Sequence, residues 1–122
     1  PAARGESTRL ELRSPDPSCN PYLALAAILM AGLDGIENKI VPPPPTNKNI
    51  FRMSKEEREK EGIPSLPASL EEALNEMEKS DLVRGLLGEH IFNKYLEAKR
   101  KEWDDYRTKV SQWELDHYLT KY

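Results

Sequence analysis

Four consecutive prolines, Pro42 to Pro45, constrain this chain more than any other feature. Proline lacks a backbone N–H and has a locked φ, so such a run fits neither a helix interior nor the centre of a sheet. It reads as an extended, semi-rigid polyproline connector between two structured parts. Polyproline can also be a ligand for aromatic-lined grooves. Here the run is embedded between elements, which favours the connector.

Before the connector, Asn20-Pro21 is a strong helix start, with Asn as N-cap and Pro at the first helical position. The helix runs through Tyr22, Leu23, Leu25, Ile28, Leu29, Met30 and Leu33, with alanines between them. It is apolar nearly all round, which predicts a buried helix over 20–40 inside a larger body. Upstream, leucines alternate with charges in Arg9-Leu10-Glu11-Leu12-Arg13, the period of a half-buried strand, placed over 6–13. On that strand Arg9, Glu11 and Arg13 share one face, with next-but-one side chains roughly 7 Å apart. The carboxylate suits a hard divalent cation, and the guanidinium forks suit phosphate or carboxylate oxygens. The same pattern is also an ordinary surface ion-pair ladder.

Beyond the connector (41–53), region 54–122 reads as helical. Ser54 with Glu57, Ser69 with Glu72 and Ser111 with Glu114 each have the spacing of a capping box. They open helices near 54–61 and 70–79 and a last one carrying Trp113, Leu115, Tyr118 and Leu119. Ser80 caps a short piece ending at Gly88. The longest helix is expected over 89–110, with Phe92, Tyr95, Leu96, Trp103, Tyr106 and Val110 at three- and four-residue spacings. The predicted class is α+β: one N-terminal strand followed by about five to six helices.

With 122 residues and a net charge of −3, the chain is at most one domain and shows no nucleic-acid footprint. Lys99-Arg100-Lys101 is flanked by acids and reads as a solvated helix face. Cys19, the single cysteine, permits no internal disulfide, which suits a reducing cytoplasm, and reads as a small packing residue. His90 and His117 lack metal-pair spacing. The longest apolar run, Tyr22 to Leu33, is too short to span a membrane. The absence of an initiator Met suggests the interior of a longer protein.

The stretch from Arg4-Gly5-Glu6-Ser7-Thr8 through Arg9-Leu10-Glu11-Leu12-Arg13-Ser14-Pro15-Asp16-Pro17, then Asn20-Pro21-Tyr22-Leu23-Ala24 and Ala31-Gly32-Leu33-Asp34-Gly35-Ile36, resembles the C-terminal part of type I glutamine synthetase. The resemblance continues through Asn49-Ile50-Phe51, Leu66-Pro67, Ser69-Leu70-Glu71-Glu72-Ala73-Leu74 and the closing aromatic helices, and covers the whole chain 1–122. It implies the mostly helical C-terminal portion of the catalytic domain of a cytoplasmic, ATP-dependent glutamate–ammonia ligase. Such an enzyme makes glutamine through a γ-glutamyl phosphate. It further implies Glu11 as a ligand of Mg²⁺ or Mn²⁺, Arg9 at the ATP phosphates, and Arg13 at the transferred phosphoryl group and the glutamate. Ser7 or Arg4 would lie near the nucleotide. The parent would be a homo-oligomer of two hexameric rings, and this portion alone would be inactive. Phe51 stands where the adenylylated subtype has a tyrosine, which implies the feedback-regulated subtype that meets nitrogen-control proteins. Two alternatives stay open: a helical module for assembly and regulatory-protein binding, and a relative acting on another amine or acid.

Overall fold

The computed structural model describes Gly5, residues 9–119 and Lys121. It divides into two compact units, Pro1–Leu66 and Pro67–Tyr122. Five α-helices occur among the described residues: α1 (Pro21–Glu37), α2 (Lys55–Lys60), α3 (Leu70–Glu78), α4 (Asp81–Arg107) and α5 (Gln112–Tyr118). A 3₁₀ turn covers Ile50–Arg52.

The strand expected over 6–13 is corrected. Residues 9–13 form no strand, residues 6–8 lie outside the described residues, and the described chain is helical rather than α+β. Alternation makes a segment competent for a sheet, but strand hydrogen bonds run to a neighbouring chain. No other described segment of this chain takes up that pairing.

In the first unit, α1 starts as its residues dictate. Asn20 Oδ1 accepts from the backbone N–H of Tyr22 at 3.0 Å and of Leu23 at 3.3 Å, and Pro21 supplies the first turn. Just upstream, Asp16 Oδ1 accepts from both the backbone N–H and the hydroxyl of Ser18 at 2.6 Å, a turn that delivers the chain to the cap. Those bonds hold the Asp16 carboxyl below its usual range.

α1 and α2 end in the same way. Ile40 N–H reaches back to Gly35 C=O at 2.9 Å and Lys39 N–H to Ile36 C=O at 3.2 Å. Ile63 N–H reaches Arg58 C=O at 2.9 Å and Gly62 N–H reaches Glu59 C=O at 3.1 Å. Both are Schellman closures, which need a left-handed residue just past the cap. Gly62 meets that need at φ 67°, and Lys39 takes φ 51° despite its Cβ.

No residue of α1 is buried. Leu25, Leu29, Leu33 and Ile36 form an exposed apolar stripe along one face, where the sequence predicts burial in a larger body. Cys19 is exposed, not packed. The polyproline arm lines an open cleft of about 520 Å³ with Ile63 and Pro64, rimmed by an ion pair between Lys48 and Glu61.

Among the described residues of the second unit, only α3 and α4 pack extensively on one another. Leu74 (2% exposed), Phe92 (0%) and Leu96 form the core, with Leu70, Met77, Val83 and Leu87 packed around them. Ser69 Oγ caps α3 by accepting from Glu72 N–H at 3.2 Å. The return bond from the Glu72 carboxylate goes to Ala68 N–H, one residue earlier than a capping box requires.

Ser80 Oγ opens α4 by accepting from Val83 N–H at 3.3 Å. The short piece expected from Ser80 and the long helix expected from 89 meet at Gly88, whose φ of 71° and ψ of 155° are not helical, so α4 is two helices joined at a kink. That conformation is open to glycine alone. Arg84 spans the kink. Its guanidinium lies 4.2 Å from the Phe92 ring centroid and donates to Glu89 and to the Glu78 carbonyl, each at 3.3 Å.

Arg100 Nη2 ties α4 to α3 through Asn75 at 3.0 Å and Glu78 at 2.6 Å. α5 opens with a complete capping box between Ser111 and Glu114. It leaves Trp113, Tyr118 and Leu119 exposed. Among the described residues no helix is long and apolar enough to cross a membrane.

Candidate functional site

Arg9, Glu11 and Arg13 project from the segment that leads, through the Asp16 turn, into the capped start of α1. They come together as one ion-paired cluster. Arg9 Nε donates to Glu11 Oε1 at 2.8 Å, with Nη2 at 2.7 Å from the same oxygen. Arg13 Nη2 donates to Glu11 Oε2 at 2.7 Å. Each carboxylate oxygen therefore faces its own guanidinium, and these are charge-assisted contacts.

The Glu11 carboxyl is held below its usual range, chiefly by Arg13 and then by Arg9. Any carboxyl at or below the ordinary glutamate range is ionised at neutral pH, and the arginines reinforce that state. All three side chains reach solvent: Glu11 is 41% exposed, Arg9 63% and Arg13 87%. The geometry matches the ladder reading, and it also puts a charged carboxylate between two anion-binding forks. Ser7 and Arg4, expected near a nucleotide, lie outside the described residues.

Among the described residues no three His, Cys, Asp or Glu side chains gather into a metal cage. Glu11 supplies one hard oxygen donor. That fits Mg²⁺, which is commonly held by one or two carboxylates together with substrate phosphates and water. Glu11 would hold such an ion, and the ion would neutralise phosphate charge there.

Arg9, Glu11 and Arg13 are neighbours, though not on the face of the strand that the sequence predicts, and two other charged fixtures carry little signal in the sequence. The Lys48–Glu61 pair and the Arg84 bridge join residues whose spacing follows no helical or strand period. A lone Arg four residues before Gly88 was the only available hint of the second.

The family model described as "Glutamine synthetase, catalytic domain" matches residues 1–118. The chain belongs to the glutamine synthetase family. A glutamine synthetase of Thermus thermophilus is 57% identical over 122 residues, which is 100% of this chain and 27% of the relative. Glutamine synthetases of Methanosarcina mazei and Thermotoga maritima are each 59% identical, over 98% of this chain and 27% of theirs. The chain thus spans about a quarter of the length of these glutamine synthetases. Among solved structures, one described as a GmaS/ADP complex matches with a TM-score of 0.72 and 34% identity, over 88% of this chain and 24% of that one.

Proposed function

We propose that this chain is the C-terminal portion of the catalytic domain of an ATP-dependent ligase that joins ammonia to glutamate. Its identity of 57% with a glutamine synthetase along its whole length carries the reading. A structural neighbour described as an ADP complex supports a nucleotide site in such a protein.

In this reading ATP phosphorylates the glutamate side chain and ammonia displaces the phosphate. Glu11 holds Mg²⁺ or Mn²⁺ at the nucleotide phosphates. Arg9 binds the ATP phosphates, and Arg13 meets the transferred phosphoryl group and the glutamate carboxylate. Phosphoryl transfer depends on positioning and on neutralising charge spread over several oxygens. Two forked cations either side of a carboxylate supply both, and the ionised state of Glu11 suits it to the cation. The site is completed by parts of the protein beyond these residues, so the portion 1–122 alone is inactive.

The exposed stripe of α1 and the exposed aromatic face of α5 support burial against further protein, and in this reading the whole enzyme is a cytoplasmic homo-oligomer of two hexameric rings. Phe51 is 96% exposed and carries no hydroxyl, which favours control by feedback and nitrogen-regulatory proteins over adenylylation at that position.

The test is Glu11→Gln in the full-length enzyme. An amide oxygen is a weaker ligand for a hard cation than a carboxylate. Glutamine formation from ATP, glutamate and ammonia should fall by about a hundredfold or more, the scale seen when a group that neutralises transition-state charge is lost. Wild-type turnover would remove Glu11 from the site.

A further inference from the structure

Both oxygens of Glu11 are already engaged. Oε1 accepts from Arg9 at 2.8 Å and Oε2 from Arg13 at 2.7 Å. A divalent cation approaching this carboxylate meets two guanidinium charges at hydrogen-bonding distance from its own ligand atoms. Like charges at that range repel, so the cation is opposed while both guanidinium forks stay in place.

The arginine heads are nonetheless solvent-exposed partners. They are 63% and 87% exposed, and an exposed pair of this kind is weak. Phosphate oxygens accept the same forked donors with the same geometry. Moving an arginine from the carboxylate to a phosphate conserves its hydrogen bonds and replaces one anionic partner by another. The exchange is therefore nearly balanced for the arginine and frees the carboxylate for a cation.

We propose that Arg9 and Arg13 gate Glu11: in the resting site they occupy the carboxylate, and an arriving phosphate group draws them off so that the cation can bind. This rests on the reading of Glu11 as the cation ligand given above. It adds that cation and phosphate binding at this site are coupled, each raising the affinity for the other by the same factor. It also gives the arginines opposite effects on the two ligands. They oppose the cation when it comes alone and favour the phosphate.

Mn²⁺ titration of the full-length enzyme by electron paramagnetic resonance tests this, with inorganic phosphate as the anion. The relevant site is the one that Glu11→Gln removes. Arg9→Gln and Arg13→Gln should each bind Mn²⁺ alone about two- to fivefold tighter than wild type, the range that loss of an exposed ion pair corresponds to. In both, the gain in Mn²⁺ affinity on adding phosphate should shrink. Arg13→Lys keeps the charge and should stay near wild type for Mn²⁺ alone. Arginine variants that bind Mn²⁺ alone with unchanged or lower affinity overturn the gate while leaving Glu11 a ligand. A Glu11→Gln enzyme that keeps every Mn²⁺ site overturns the ligand assignment and the gate with it.

Discussion

Replacing Phe92 by alanine should unfold the second unit. Phe92 is the only side chain of the described core with 0% exposure, and it sits between Leu74 and Leu96 under the Arg84 guanidinium. Burying a phenylalanine stabilises by about 1.5–3 kcal/mol through transfer alone, on the usual area scale. The cavity left by truncation brings the cost of Phe→Ala to about 3–5 kcal/mol in well-packed cores. Loss of the cation–π contact adds on the order of 0.5–1 kcal/mol at a site open to water. Among the described residues of this unit only three are buried, so little remains to offset the loss. With a urea dependence near 1 kcal/mol per molar, as for small units, the midpoint should drop by about 3 M or more. Far-ultraviolet circular dichroism with tryptophan fluorescence would follow the transition. Tyr106→Ala serves as the control, because Tyr106 is 71% exposed on the same helix and should shift the midpoint little. If Phe92→Ala and Tyr106→Ala shifted the midpoint equally, the α3–α4 packing would not be the source of this unit's stability.

Other expectations concern the helix ends. Gly62→Ala forces an L-residue to φ 67° and should cost about 1–2 kcal/mol, whereas Lys39→Gly relieves the same geometry at the end of α1 and should be neutral to stabilising; thermal unfolding of both variants checks the opposite signs. The Glu114 carboxyl is held below its usual range by the Ser111 backbone N–H and then the Ser111 hydroxyl. Its contribution to α5 is therefore fully present above the unfolded carboxyl pKa and is lost as pH falls through the lowered folded value. Amide chemical shifts of residues 111–118 should show α5 fraying on acidification below the normal glutamate range, and Glu114→Gln should flatten that response; a helix equally intact at low pH would remove the cap from its stability.

Much of this protein follows from neighbours in sequence. Asn20-Pro21 starts α1, Ser54 with Glu57 starts α2, and Ser111 with Glu114 starts α5, because a cap joins groups two or three residues apart and needs nothing else. The prolines at 42–45 leave that stretch without regular structure for the same local reason. The cluster of Arg9, Glu11 and Arg13 was legible too, since charges two residues apart on an extended chain stand on one side.

Tertiary structure decided the rest. The alternating segment at 9–13 is not a strand, because pairing depends on a partner that no local pattern supplies. The aromatic stripe of α4 looked uniform in sequence, yet Phe92 is buried while Tyr106 is exposed. α3 covers one stretch of that face and no other described helix packs extensively on the remainder. Gly88 ends one helix, as its sequence position implies, but only the folded chain shows Arg84 spanning that joint to reach Glu89, Phe92 and the end of α3. Caps and turns are short-range hydrogen bonds written in adjacent residues; burial depends on which surfaces meet, and that is a property of the folded chain.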